Sequence, residues 1–209
     1  MAVERRNLIV KQILFTIGIM LLGVILGTFS KYLDYHQAQS PHLLGVIDRR
    51  LDVHNFLSGF APWIFIAVCI SIYSSTPVRA AINVFAFFVG MIACYYLYSN
   101  YVAGFFPRSY AMIWVGFTIA SPFLAFICWH AKGKGMLAVI ISAGIIAVFF
   151  NLAFAYGLVY FDIRSVLQVM TLVLGVIVLH KSRKKTFIMI GMAVVIAVLS
   201  EIILPFRLW

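Results

Sequence analysis

Seven long apolar runs, separated by short connections that hold most of the charges, are the feature that most constrains this chain. Each run is close to the ~20 residues with which a helix crosses the ~30 Å hydrocarbon layer of a bilayer. Lipid offers no hydrogen-bond partner to backbone N–H and C=O groups, so we expect each run to be helical. The runs cover residues 12–30, 56–73, 80–101, 109–129, 136–157, 164–180 and 186–205.

The composition excludes an ordinary soluble domain. Of the 209 residues, 64% are hydrophobic and only 11% are charged, whereas soluble domains are about 45–50% apolar and about 25% charged. A soluble fold of this length would still expose a large surface, which this composition cannot supply with enough polar groups. The sequence therefore predicts one integral membrane domain over residues 1–209, an all-α polytopic bundle of about seven transmembrane helices.

The distribution of Lys and Arg predicts the orientation of these helices. Ten of the 16 Lys and Arg residues lie on one side of the predicted membrane, and six lie on the other. The positive-inside rule then places the N-terminus in the cytoplasm and, with seven spans, the C-terminus outside the cell. If the short run 164–180 does not span, the C-terminus returns to the inside. Because the excess charge of +10 sits beside apolar runs, it indicates orientation and not a nucleic-acid partner.

The longest connection, 32–55, carries its own pattern. Leu43, Leu44, Ile47 and Leu51 recur at helical spacing, while charged residues fall on the other face. This is typical of an amphipathic helix that lies on a membrane surface, here the outer one.

Ionisable residues within a membrane span are functional candidates, because inserting one at the centre costs about 2.5–3.5 kcal/mol. Several charges and a stripe of tyrosines fall at the predicted outer ends of the helices. We expect them to form a ligand-binding site, although surface ion pairs and an interfacial aromatic belt would give the same pattern. The candidate residues are Lys31, Asp34, Tyr95, Tyr98, Arg108, Asp162, Arg164 and Glu201.

Polar and small residues deeper in the runs indicate helix–helix contacts. Asn83, Asn151 and Gln168 are amides, which usually join membrane helices by hydrogen bonds, with a substrate contact as the alternative. Gly23 and Gly27 form a GxxxG pair that favours close packing inside the bundle or, alternatively, a dimer face.

Motifs for catalysis or metal binding are lacking in the sequence. Cys69, Cys94 and Cys128 match no zinc spacing, and neither HExxH, a Walker A loop, nor paired intramembrane carboxylates occur. We therefore predict no metal, no cofactor and no catalytic residue, and an enzyme is not favoured.

Several stretches together resemble an uncharacterised family of small polytopic membrane proteins from Gram-positive bacteria, known only as a domain of unknown function. They are Ser30–Asp34, Pro77–Asn83, Gly104–Tyr110, Ser121–Gly135 and Tyr160–Ser165. The resemblance implies a bacterial cell-membrane location and assigns no functional residue. The architecture is also similar to the S components of energy-coupling-factor transporters, which are small apolar bundles, usually of six helices, with an outward-opening ligand site.

Three functions are consistent with these features. The first is binding or transport of a small molecule at the outer polar and aromatic site. The second is a non-catalytic interaction, immunity or regulatory protein with a membrane protein as its partner. The third is an intramembrane enzyme that acts on a lipid or a lipid-linked substrate.

Overall fold

The computed structural model describes residues 2–36, 42–157 and 159–203. The fold is all-α, with 84% of it helical and one small β-hairpin. The first five helices are α1 (Ala2–Tyr35), α2 (His42–Leu51), α3 (Val53–Ser58), α4 (Ala61–Tyr73) and α5 (Pro77–Tyr101). Then follow α6 (Arg108–Trp129), a 3₁₀ turn (His130–Lys132), α7 (Met136–Ala153), β1 (Phe154–Tyr156), β2 (Phe161–Ile163), α8 (Val166–Val178) and α9 (Arg183–Ile203).

Within the described ranges, five helices are long and apolar enough to cross a bilayer: α1, α5, α6, α7 and α9. The two other apolar helices, α4 and α8, have 13 residues each, which gives about 20 Å of helix. The predicted all-α fold is therefore confirmed, and its apolar helices are compatible with a multi-pass membrane protein. The count of seven spans and the orientation stay predictions.

Glycines bring α1 and α5 into backbone contact. A Cβ atom on Gly23 would lie 2.2 Å from the carbonyl oxygen of Phe87, and one on Gly27 would lie 2.3 Å from that of Met91. Likewise, a Cβ atom on Gly90 of α5 would lie 2.4 Å from the carbonyl oxygen of Met20 of α1. In lipid, close van der Waals packing is the main attraction between helices, and small residues permit it. The GxxxG pair thus packs α1 against α5 inside the bundle, which is the first of the two roles expected for it.

Two of the three amides join helices, as predicted. Thr16 of α1 donates a hydrogen bond to Asn83 Oδ1 of α5 at 2.7 Å. Asn151 of α7 donates from Nδ2 to Ser200 Oγ of α9 at 2.9 Å. The carbonyl oxygen of the third amide, Gln168, is buried and has no hydrogen-bond partner among the described residues.

The helices fall into two groups that meet at α4. On one side α1 packs on α5, and α5 packs on α6; on the other, α7 packs on α8 and α9. Helix α4 contacts α5, α6 and α8, and its Phe65 ring lies 6.2 Å from the ring of Phe149 of α7. The most deeply buried aromatic rings of the core are those of Phe87, Phe88 and Phe149. Features predicted to share one site can therefore lie in different halves.

Two predicted runs are not continuous helices. Run 56–73 is interrupted after Ser58, because Pro62 at the start of α4 lacks the N–H that a continuous helix would need. Run 136–157 leaves the helix at Ala153, and residues 154–156 pair with 161–163 as an antiparallel hairpin. The helix ends at Ala153 because the backbone of Phe154 is extended, and β1 begins there.

Connection 32–55 is also more helical than predicted. Helix α1 continues to Tyr35, so that Lys31 and Asp34 lie on its last turns, at the end of the first helix where they were expected. The predicted amphipathic segment forms α2, where Ile47 and Leu51 remain 40% and 39% exposed and so leave an apolar face uncovered. The side chains of Leu43 and Leu44 lie outside the described residues.

Replacing Gly27 by isoleucine is expected to destabilise the protein. The new side chain would collide with the Met91 backbone of α5, and such overpacking costs about 1–3 kcal/mol. The measurement is thermal unfolding of the purified protein in detergent. Gly18→Ile is the matched control, because the space around Gly18 on the same helix is open. Equal stability of Gly27→Ile and Gly18→Ile would contradict the packing of α1 on α5.

Candidate functional site

The break between α3 and α4 exposes two backbone carbonyls inside the bundle. In a continuous helix the Ser58 carbonyl would accept a hydrogen bond from residue 62, but Pro62 has no N–H. The Leu57 carbonyl loses its helical partner at the same break. Unpaired carbonyls are costly where water is excluded, so other groups must satisfy them.

Side chains from three helices supply the missing donors. Tyr110 of α6 donates its hydroxyl proton to the Ser58 carbonyl at 2.5 Å. Trp63 of α4 donates from Nε1 to the Leu57 carbonyl at 2.8 Å, and Ser30 of α1 donates to the same oxygen at 3.3 Å. The break therefore holds α1, α4 and α6 together by hydrogen bonds.

A small aromatic cavity lies beside the break. Its aromatic lining consists of Trp63, Tyr95, Tyr96, Tyr110 and Trp114. The space open to water-sized molecules is ≈ 20 Å³, and about 10–15 Å³ suffices for one water. The hydroxyl of Tyr96 is buried and has no hydrogen-bond partner among the described residues. Tyr96 thus lines the cavity and carries a buried hydroxyl whose hydrogen-bonding capacity is unused among the described residues.

The Lys31–Asp34 ion pair lies next to this cavity. Lys31 is only 8% exposed, and its ammonium group donates to Asp34 Oδ2. The Lys31 Nζ atom also lies 5.3 Å from the centre of the Tyr95 ring, which lines the cavity. A buried ammonium needs both its counter-ion and its aromatic neighbour to offset desolvation. The predicted residues Lys31, Asp34 and Tyr95 are therefore brought together.

A second polar group forms around the β-hairpin. Tyr156 of β1 donates its hydroxyl proton to Asn151 Oδ1 at 2.7 Å. Burial raises the pKa of Tyr156, and the nearby carboxylate of Glu201 raises it further. Asp162 accepts a hydrogen bond from the backbone N–H of Ile163, and Arg164 donates from Nε to the Phe154 carbonyl at 3.2 Å. The Tyr156 bond ties the hairpin to the end of α7, and the other two bonds lie within the hairpin and its flank.

The eight candidate residues are therefore divided. Lys31, Asp34 and Tyr95 belong to the α1–α5 half, whereas Asp162, Arg164 and Glu201 belong to the hairpin and α9. Arg108 begins α6 with an exposed side chain, and Tyr98 is half-buried. Neither Arg108 nor Tyr98 lines the aromatic cavity.

Sequence reasoning missed Tyr96, Tyr110 and Trp63. Tyr96 lies outside the i,i+3 stripe that Tyr95 and Tyr98 form, yet Tyr96 faces the core at 7% exposure. Pro62 within run 56–73 was the available signal, because a proline inside a helix frees a carbonyl four residues earlier. That carbonyl needs a donor, and a tyrosine near a helix end is a suitable one.

An apolar cleft separates α6 from α7 and reaches α4. The volume open to water-sized molecules is ≈ 440 Å³, and the lining includes Ile64, Phe117, Leu124, Gly144 and Val148. The polar lining is almost absent, because the two serines there donate to their own helices: Ser71 to the Ala67 carbonyl and Ser121 to the Thr118 carbonyl. The cleft therefore offers space to an apolar group and no directional contact to a polar one.

No protein-family model, no curated protein and no solved structure matches this chain. The likeness to the Gram-positive membrane family and to the transporter S components thus stays a prediction from the sequence.

Proposed function

We propose that this chain is a multi-pass protein of the bacterial cell membrane that binds a small molecule at the aromatic cavity beside the α3–α4 break. The proposal takes all seven apolar segments as membrane-embedded, with the N-terminus in the cytoplasm and the C-terminus outside. Five helices have the length and composition to span. Helix α3 and helix α4 together supply a sixth segment, and α8 supplies the seventh.

The observation that carries the proposal is the aromatic cavity that the Lys31–Asp34 pair adjoins and that Tyr96 lines, with a buried hydroxyl that has no partner among the described residues. Ligand sites are mostly apolar, with a few polar groups that fix orientation. A cavity that holds about one water must widen for a larger ligand. The α3–α4 break provides a point where that widening needs no helical hydrogen bond to be broken.

The ligand class follows from the lining. Aromatic faces favour an apolar, aromatic or cationic body, while the Tyr96 hydroxyl and the ion pair favour a polar group on it. We therefore propose a small amphipathic ligand that enters from the outer side. Binding is the first step of transport, and an S-component-like transport role would use the same site.

The hypothesis of a non-catalytic interaction protein loses its main support from the sequence, which was the GxxxG pair as a possible contact face. Gly23 and Gly27 are covered by α5, so this pair does not offer a free helix face to a partner. A partner would have to bind elsewhere on the bundle.

The proposed orientation can be tested by cysteine labelling on intact cells. In a chain with Cys69, Cys94 and Cys128 replaced by serine, Val159→Cys is expected to react with a membrane-impermeant maleimide. Val159 is 96% exposed, next to the hairpin on the proposed outer side. Lys134→Cys, between the 3₁₀ turn and α7, is expected to react only after the cells are permeabilised. The reverse pattern would overturn the orientation.

The ligand site can be tested by stabilisation and tryptophan fluorescence. Of the four tryptophans, Trp63 and Trp114 line the cavity, so Trp129→Phe and Trp209→Phe leave only cavity reporters. A panel of small aromatic amines, amino acids and alcohols is screened for a higher Tm and a changed emission. For each compound that binds, Tyr96→Phe is expected to weaken the Kd about tenfold, since one hydrogen bond is lost.

Glu201→Gln is the control for this experiment, because Glu201 lies beside the hairpin and not at the cavity. Binding that is unchanged in Tyr96→Phe and in Lys31→Met would show that the cavity is not the site. Absence of any binding compound from the panel would count against the proposal as well.

The apolar cleft favours a second candidate function, the binding of a lipid acyl chain. The cleft runs along the middle of helices that have the length and composition to span a bilayer, and its lining is apolar. Acyl chains are the apolar groups present there. The cleft would hold a lipid or a lipid-linked substrate by its acyl chain. This fits the third function predicted from the sequence, an intramembrane enzyme that acts on such a substrate.

Filling the cleft is expected to remove bound lipid without unfolding the protein. Gly144 lines the cleft, and a Cβ atom there would meet nothing within 4 Å. In Gly144→Leu, native mass spectrometry is expected to show fewer co-purified lipids than in the wild type. Gly191→Leu on α9 is the matched control, because it is equally open and lies outside the cleft. Equal lipid retention in both variants would contradict an acyl-chain site.

A further inference from the structure

A second polar cavity lies at the opposite end of α5 from the aromatic cavity. It is bounded by the first turns of α1, the connection between α4 and α5, and the first turns of α5. The volume open to water-sized molecules is ≈ 320 Å³, which is within the range of small-molecule sites, about 300–1,000 Å³. This is also the side on which most Lys and Arg residues lie.

The charge of the lining is entirely positive. Lys11 of α1 and Arg79 of α5 face the cavity, and none of the lining residues is acidic. Two cations that share a cavity repel each other, and neither forms an ion pair among the described residues. An anion between them would remove that repulsion.

Arg79 has unused hydrogen-bonding capacity in this position. Its Nη2 atom is buried and has no hydrogen-bond partner among the described residues. Arg79 also lies in the first turn of α5, where the helix dipole favours negative charge, and this turn contains no acidic residue. A cation at a helix N-terminus with a buried free donor is an arrangement that a bound oxyanion would stabilise.

The back of the cavity is held by a hydrogen-bond network. Asn83 accepts from Thr16 and donates from Nδ2 to Ser74 Oγ at 3.2 Å. The Ser74 carbonyl accepts from Trp129 Nε1 at 2.9 Å and from Lys132 Nζ at 3.2 Å. Four separate segments of the chain therefore fix this wall, so the cavity is formed before any ligand arrives.

The outer flank of the cavity is apolar. Leu8 and Phe15 of α1 line it, and they are 61% and 58% exposed on the helix surface. A ligand in the cavity would thus have charged groups on one side and a lipid-facing surface on the other. Basic pockets of this kind, at the cytoplasmic edge between helices, suit the head groups of anionic lipids.

We infer that this cavity binds a phosphate oxyanion, with Lys11 and Arg79 as its ligands. The phosphate belongs to the head group of an anionic phospholipid or to free phosphate, because both present the same oxygens. Arginine suits this role through its planar pair of donors, and lysine acts as the accompanying point charge.

The test measures binding and Tm of the purified full-length chain in neutral detergent. Three probes are added separately: phosphatidylglycerol, phosphatidylcholine and inorganic phosphate. Phosphatidylglycerol is expected to raise the Tm, and phosphatidylcholine much less. Arg79→Gln and Lys11→Gln are each expected to weaken this binding about tenfold or more, because each removes a charge-assisted contact. A Tm raised by inorganic phosphate, and lost in the same two variants, would assign the site to free phosphate instead.

Lys184→Gln is the control, because it removes one exposed positive charge on the same predicted side but outside the cavity. If Lys184→Gln weakens binding as much as Lys11→Gln does, the effect is general surface charge and the site is wrong. Binding of none of the three probes would overturn the inference too. Lys11→Gln keeps the test valid if Arg79→Gln fails to fold, since Lys11 is exposed.

Discussion

Backbone carbonyls in a bilayer must find donors within the protein, and the break at Pro62 creates two carbonyls without helical partners. Tyr110 and Trp63 satisfy them, and Ser30 adds a longer bond from α1. The positions of α1, α4 and α6 at this end of the bundle thus depend on the break between α3 and α4. The aromatic cavity is a result of the same requirement, because the donors are bulky rings that meet around the break.

The same compensation occurs a second time, in α6. Pro122 lies inside that helix and cannot donate to the Thr118 carbonyl, which accepts from the hydroxyl of Ser121 instead. Here the donor is small and comes from the same helix, so no second element is drawn in. The apolar cleft borders this position, whereas the aromatic cavity borders the other proline. A proline thus joins helices or leaves space between them according to where the replacement donor comes from.

The class of the fold could be predicted from the sequence because length and hydropathy of a run act locally. The start of α5 at Pro77 and the end of α6 at Trp129 lie close to the predicted limits for this reason. The hairpin after Ala153 could not be predicted, because Phe154 and Tyr156 are apolar enough to continue a run and only their pairing with residues 161–163 makes them strand.

The candidate site could be predicted only in part, because local sequence patterns do not determine which helices pack together. Lys31 and Asp34 are three residues apart, so their pairing follows from helix geometry. Whether Glu201 joins them depends on which helices pack together, and the packing of α9 on α7 is not encoded in any local pattern. Tyr96 differs from Tyr95 by one residue, or about 100° around a helix, and only the position of the neighbouring helices decides which ring is buried.

The pairing of α1 with α5 also has a consequence for how the chain is made. Thr16 and Asn83, which join these helices, are 67 residues apart, and synthesis at about 5–20 residues per second separates them by about 3–13 s. During this interval the first helix lacks the partner that its glycine surface fits. Its length and apolar composition suit it to lipid even before that partner is made, which is what separate stages of helix insertion and helix association require.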